Sequence, residues 1–340
     1  MLTVSARPEW SKTKGTTTLF GLMLMVLASM ACTPTHAAES GPVYPTKPVR
    51  FIVPQPPGGA LDIVARLLAH KLGESLGQNI IIDNRSGAGG VVGTEVASKA
   101  PPDGYTLLLG TTGILAINPT IYKKLPYRPL LDLDPISLLA ASPFLMVVHP
   151  SLDVASVAEL VAAAKKRPAG LTYSTPGNGT LHHLSMEWFK SSTGANLVHV
   201  PYKGAQAFNA VIAGEVSLAF GSVVAMLPHV KSGRVKAIAI TSKGRSRLLP
   251  DLPTVAESGV PRFEATNWFG VLAPRGTPPQ IISRLGSLIA ASMSAPEMKE
   301  RLSADGADPI GSTPEAFANL IKAELARWAQ VVKTSGAKVD

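Results

Sequence analysis

Twice in this chain a short apolar run stops at a glycine-rich turn and restarts with helical spacing. Val49-Arg50-Phe51-Ile52-Val53 leads into Pro56-Pro57-Gly58-Gly59-Ala60-Leu61-Asp62, after which Ile63, Val64, Leu67, Leu68 and Leu72 recur on one helix face. Leu171-Thr172-Tyr173 leads into Ser174-Thr175-Pro176-Gly177-Asn178-Gly179-Thr180, and a second helical pattern follows. A strand–turn–helix unit leaves N–H groups without carbonyl partners at the positive end of the helix dipole, where an anion can sit. Two such units, far apart in sequence, predict two lobes closing on one carboxylated molecule.

The rest of the chain alternates in the same way. Strands at Val49–Val53, Asn79–Asp83 and Tyr105–Leu109, separated by helical patterns, predict an α/β fold with parallel strands and helices on both faces. Ile136–Ala140 and Phe144–His149 read as two strands. Further strands are predicted at Leu171–Ser174, Asn196–Val200, Leu218–Phe220 and Val235–Thr241, again alternating with helices. Phe269–Ala273 reads as a strand returning to the first lobe, and Pro279–Ser294, Pro296–Ala304 and Pro314–Ser335 read as helices opened by proline. Crossings near Pro143–Val147 and Thr266–Phe269 divide the chain into lobe one (44–143 and 268–340) and lobe two (144–267). A chain of this length exceeds the usual single core.

Residues 1–37 have the order of a secretory signal peptide. Arg7, Lys12 and Lys14 precede the apolar stretch Leu19–Ala28, and small residues lead to Ala37-Ala38, where cleavage is expected. The apolar core is too short to span a bilayer. The only cysteine, Cys32, lies in this segment, so the mature chain has no disulfide or thiol chemistry. Ser29-Met30-Ala31 is a poor approach to a lipidated cysteine, so anchoring at Cys32 is not expected. Removing 1–37 leaves 29 basic and 22 acidic residues. They are dispersed, with no basic block interleaved with aromatics, which argues against nucleic acid. A positive field helps to gather anions.

The remaining motifs exclude more than they assign. His182 and His183 are adjacent, so on a helix they point about 100° apart and do not share an ion. No partner stands at zinc-motif spacing, no metal is expected, and one histidine is expected to pack under the glycine loop. Thr180 is placed as an N-cap. Asn178 and Thr175 offer side-chain hydrogen bonds. In the third strand–loop–helix, His199–Ala205, Tyr202 is a candidate for the cleft wall, and Lys203 either pairs an anion or is a solvated surface lysine. Gly87, Gly89 and Gly93 miss the dinucleotide spacing by one and there is no P-loop lysine, so no nucleotide or other cofactor is expected. No G-x-S-x-G and no carboxylate pair appear, so no catalytic residue is assigned. An exported hydrolase or isomerase using His183 or Asp62 is the alternative.

Several segments occur in a fixed order: Tyr44-Pro45-Thr46-Lys47-Pro48-Val49-Arg50, Pro56-Pro57-Gly58-Gly59 with Asp62, Asn84-Arg85 with Gly87-Ala88-Gly89-Gly90, and Pro101-Pro102-Asp103-Gly104-Tyr105. His149-Pro150-Ser151-Leu152, Gly177-Asn178-Gly179-Thr180, His199-Val200-Pro201-Tyr202-Lys203-Gly204, Leu252-Pro253-Thr254-Val255-Ala256-Glu257 and Trp268-Phe269-Gly270 follow. In this order, from Tyr44 to Asp340, the chain resembles the Bug family, the periplasmic solute-binding proteins of tripartite tricarboxylate transporters. The resemblance implies a two-lobed, type II Venus-flytrap fold, a periplasmic, non-enzymatic monomer, a small carboxylate ligand, and a membrane transporter or a sensor protein as partner. It maps the ligand site to Gly58, Gly59, Ala60, Leu61 and Asp62 of the first turn and to Thr175, Gly177, Asn178, Gly179 and Thr180 of the second, with Tyr202 and Lys203 nearby. The chain departs from the family at Gln55, Leu61, Ser217, Gly221 and Ser222. A less polar wall at Leu61 and more room at Gly221 predict an aromatic or bulky monocarboxylate rather than a short amino-dicarboxylate.

Overall fold

The computed structural model describes residues 44–58, 60–304 and 306–336, with residues 2, 3, 5 and 6 near the N-terminus. Residues 7–43, which hold most of the expected signal peptide and Cys32, and Gly59 lie outside the described residues. From Tyr44 onward the chain forms one compact unit, and no described helix is long and apolar enough to cross a membrane.

The first sheet is built as the alternation predicts. β1 (Val49–Val53), α1 (Ala60–Leu76), β2 (Ile80–Asn84), α2 (Val91–Ser98) and β3 (Thr106–Thr111) follow one another. β1 lies between β2 and β3, parallel to both, with Val49 opposite Ile80 and Phe51 opposite Leu107. Its side chains alternate between two cores, because successive residues of a strand face opposite sides. Val49, Phe51 and Val53 pack with Leu68 and Leu72 of α1. Ile52 joins Leu108 and Ala97 in the other core. Burial on both faces explains why this strand reads as a continuous apolar run.

After β3 come a π-helical turn (Gly113–Ile117), α3 (Asn118–Ile121) and α4 (Pro129–Asp132), none of which the periodicity predicts. β4 (Leu133–Val148) then corrects the expectation of two strands. It is continuous, and Pro143 marks a change of partner instead of an end. Leu133–Pro143 pairs antiparallel with β9 (Thr266–Pro274), through two register shifts. Phe144–Val148 pairs antiparallel with β7 (Leu218–Ser222), and β4 also pairs with β8 (Lys236–Ile240) through Leu145–Val148. Proline has no N–H for a ladder, so the point where partners change is where a strand tolerates it.

Between these lie α5 (Val157–Lys166), β5 (Leu171–Thr175), α6 (Leu181–Thr193), β6 (Leu197–Pro201), α7 (Gln206–Ala213) and, after β7, α8 (Val223–Lys231). β5 is parallel to β6 and β7. The C-terminal α9 (Pro279–Ser294), α10 (Pro296–Ala304) and α11 (Pro314–Ser335) start at the three predicted prolines, and the short β10 (Asp308–Pro309) pairs with β4.

The strand order β2-β1-β3-β9-β4-β7-β5-β6 is parallel in its outer parts and antiparallel where β9 and β4 join. This is a two-lobed α/β fold with two crossings, one inside β4 and one between β8 and β9. Thr241 ties the crossings together. Its hydroxyl accepts from the Phe144 amide at 2.8 Å and donates to the Ala265 carbonyl at 2.6 Å. α11 packs beside both: Trp328 lies edge-on to Trp188 of α6, while Glu324 accepts from the indoles of Trp268 and Trp328.

Candidate functional site

The turn after β1 is held by Asp62. Its Oδ2 accepts from the Gly58 amide and from Arg66 Nε, both at 2.9 Å, and its Oδ1 accepts from Asn84 Nδ2 at 2.9 Å. Asn84 also donates to the Gln55 carbonyl, so the end of β2 is stitched to the turn. Gly58 adopts φ +85°, which favours glycine. Asp62 is 3% exposed. Burial pushes its carboxyl up, but the bonds from Arg66, Gly58 and Asn84 outweigh this and hold it down to about 2. The anion at the start of α1 is therefore the protein's own, and Asp62 would have to surrender these bonds to meet a ligand.

The turn after β5 is built differently. Gly177 has φ +143° and Gly179 φ +71°. Thr180 caps α6: its Oγ1 accepts from the His183 amide at 3.3 Å and donates to the Gly177 carbonyl at 2.8 Å. Thr175 is buried, its hydroxyl 2.7 Å from His199 Nε2. His183 packs under the loop as expected, Nδ1 accepting from the Gly179 amide at 3.1 Å, so Nδ1 carries no proton. Its ring stacks on His199 at 4.1 Å, and Tyr173 stacks on the other side of the set at 5.0 Å from His199. Burial pushes His183 down, and burial with the neighbouring His183 pushes His199 down to about 4. His182 faces Phe144 and Phe208, and burial takes it down to about 4. The first turn of α6 holds no acidic residue, so the dipole there is not neutralised from within as it is at α1.

Both turns border one cavity of about 490 Å³. Pro54, Gln55 and Pro56 come from the first, and Asn178, Gly179, Thr180 and Leu181 from the second. Its remaining wall is the loop Ser86–Gly90, residues of the segment from Thr111 to Tyr122, and Asn267. Among the described residues, the side chains of Gln55, Ser86, Tyr122, Asn178 and Asn267 line this cavity without a hydrogen-bond partner. A second cavity of about 360 Å³ shares Asn267 and is walled by Leu61, Val64, Phe269 and Leu302, with Ser142, Ser222 and Arg301. A larger groove of about 670 Å³ near Asp134, Arg275 and Glu315 shares no residue with either turn.

The sequence profile of the tripartite tricarboxylate transporter family receptors matches residues 64–337. The chain belongs to this family. It is 39% identical to protein BugT of Bordetella pertussis over 93% of this chain and 98% of that protein. The structure of R. palustris Rpa4515 with adipate superposes with a TM-score of 0.75 at 40% identity, covering 87% of this chain and all of the other. MatC from Rhodopseudomonas palustris with bound malate gives a TM-score of 0.71 at 31% identity, over 85% of this chain and all of that one. This receptor is thus of the Bug type, in a family of solute-binding receptors and not of enzymes.

In this receptor the residues expected from sequence fall into three groups. Asn178, Gly179 and Thr180 line the first cavity and Leu61 the second. Gly58, Asp62, Thr175 and Gly177 shape the turns, while Ala60 opens α1. Tyr202 and Lys203 line neither cavity. The Tyr202 hydroxyl bonds Glu215 at 3.2 Å, and Lys203 is exposed. Gly221 corrects one expectation: a Cβ there would meet Met226 Cγ at 2.3 Å, so the position faces the core under α8 and adds no room to the cleft. The Ser86–Gly90 loop, Tyr122 and Asn267 were missed. The loop had a signal in its glycines, whereas Tyr122 and Asn267 have none, since only folding brings them to the turns.

Proposed function

We propose that this receptor captures a small carboxylate between the turns after β1 and β5, closes over it, and delivers it to a membrane transporter from the periplasm. The supporting observation is one cavity bordered by residues of both turns and by five polar side chains with spare hydrogen-bonding capacity. The ligand carboxylate would sit against the start of α6 and the backbone of Gly177–Thr180, with Gly58–Leu61 closing from the other lobe. Charge-assisted bonds of this kind are about twice as strong as neutral ones. Lobe one comprises 44–143 and 268–340 and lobe two 144–267, with α11 packed beside both. The protein acts as a monomer exported by its N-terminal signal. A sensory role, with a receptor as docking partner, would use the same closed state.

Two observations bear on the ligand. The relative 40% identical to this chain was solved with adipate, and another with malate, both aliphatic dicarboxylates. The expectation of an aromatic monocarboxylate loses its support at Gly221 and keeps only that of Leu61. The test is thermal unfolding of the chain from Ala38 with adipate, malate, hexanoate and benzoate. A ligand at a hundredfold its Kd stabilises by about 2.7 kcal/mol, so the midpoint rises with the cognate class. No rise with any carboxylate, in protein shown by mass spectrometry to be ligand-free, rejects the proposal.

A further inference from the structure

One of the bonds that hold the turn after β5 ends on an atom that can take a proton. The Gly179 amide donates to His183 Nδ1 at 3.1 Å, so that amide is spent within the protein. Gly179 has φ +71°, and its neighbours Asn178 and Thr180 line the polar cavity with it. The Thr180 hydroxyl ties the same loop to the Gly177 carbonyl at 2.8 Å, through groups that do not titrate near neutrality. The bond to Nδ1 does titrate. An imidazolium carries a proton on both nitrogens and accepts nothing, so a charged His183 would set two donors face to face.

The surroundings keep the ring neutral. His199 of β6 stacks on it at 4.1 Å with 13° between the planes, and Tyr173 of β5 stacks on His199 in turn. His199 Nε2 is 2.7 Å from the hydroxyl of the buried Thr175. Burial holds His183 below the ordinary histidine range, although Glu187 on the same helix draws it up and Lys190 pushes it down. Glu187 is shared, accepting from the Tyr173 hydroxyl at 2.6 Å and from Lys190 at 3.4 Å.

We propose that His183 is a positioning residue for ligand binding: its unprotonated Nδ1 holds the Gly179 amide, and with it the Asn178–Thr180 edge of the cavity, in the binding conformation. This rests on the reading of the cavity as a carboxylate site, and it adds a proton linkage: binding and protonation at Nδ1 exclude each other. Affinity is then constant while His183 is neutral and falls by up to about tenfold per pH unit below its folded-state pKa. A charged ring acting on an anion through its field alone would do the opposite and tighten binding as pH falls.

The experiment is calorimetric titration of the chain from Ala38 and of its His183→Asn and His183→Phe variants. The probe is adipate, or whichever of malate, hexanoate and benzoate binds best. The titrations run from ~pH 8 to below the His183 pKa, read from its ring signals by NMR. Asparagine offers an amide oxygen in place of Nδ1 and does not titrate, whereas phenylalanine keeps a ring and loses the acceptor. His183→Asn should bind close to the parent near ~pH 8 and lose less affinity on acidification, and His183→Phe should be about tenfold weaker throughout. The acid's own protonation is common to all three proteins and cancels in the comparison. Hydrogen exchange at the Gly179 amide near neutrality needs no ligand: it should be slow in the parent and in His183→Asn, and faster in His183→Phe. A parent whose pH profile matches that of His183→Asn, or whose affinity rises relative to it on acidification, overturns the role of His183. So does a His183→Phe variant with parental affinity and parental exchange at Gly179. Should His183→Phe not fold, the parent and His183→Asn profiles decide alone. A parent that binds none of the four acids overturns the carboxylate reading, and with it the role of His183 in affinity.

Discussion

At the scale of single residues, hydrogen-bond accounting separates side chains that hold a turn from those with capacity to spare. Asp62→Ala leaves the Gly58 amide, Asn84 and Arg66 without their acceptor in a site 3% exposed. Removing one partner of a buried charged cluster costs about 3 kcal/mol, so we expect that loss in urea unfolding. The carboxyl is held near about 2, below its unfolded value. Its contribution is therefore complete above the unfolded range and is lost progressively as pH falls from there toward about 2, so the loss should be constant over ~pH 5–8. Gly177→Ala tests the backbone instead. Its Cβ would meet nothing closer than 3.9 Å, but φ is +143°. We expect a destabilisation of about 1–3 kcal/mol from strain alone and weaker ligand binding. Parental stability would show that the turn does not depend on this conformation.

At the scale of elements, the start of α6 carries a pH dependence. His182 and His199 are both depressed to about 4 by burial, and His183 must stay neutral at Nδ1 to accept from Gly179. Because the unfolded chain takes up these protons at higher pH than the folded one, stability rises with pH across this range. It is complete above about 6.5, the ordinary histidine value, and is lost progressively toward about 4. The melting temperature should fall over that window, with protons taken up on unfolding. His182→Phe, placed between Phe144 and Phe208, should flatten the profile, and an unchanged profile would assign the effect elsewhere. β4 makes a second point at this scale. The sequence reads two strands, Ile136–Ala140 and Phe144–His149, whereas one strand runs through and only exchanges β9 for β7 and β8 near Pro143.

At the scale of the whole molecule, the two crossings and the cleft act together. Thr241 bridges Phe144 and Ala265, so Thr241→Val removes an acceptor from one crossing and a donor from the other. We expect about 1–3 kcal/mol of lost stability, read from denaturant unfolding. Ile63 of α1 and Val224 of α8 both line the second cavity, yet leave 39% and 46% of their surface exposed. Closure would bury them, so small-angle scattering should show a smaller radius of gyration with the cognate ligand. An unchanged radius at saturation would mean that binding does not move the lobes.

Local order was legible because it rests on local causes. Val49–Val53, Val157–Lys166 and the three proline-led helices fall on the predicted residues, since apolar periodicity, proline and caps act within a few residues. The glycine turns, the N-cap at Thr180 and the histidine beneath the loop were read in the same way, and the ordered motifs carried the family. The long-range choices were not legible. Whether Gly221 faces the cleft or Met226, whether Asp62 spends its oxygens on Arg66 and Asn84, and whether Tyr122 and Asn267 reach the turns depend on which distant elements pack together. Sequence alone therefore determined the alternating α/β elements and the two glycine-rich turns. The tertiary structure alone decided which side chains still have hydrogen bonds to give, because that depends on neighbours contributed by remote parts of the chain.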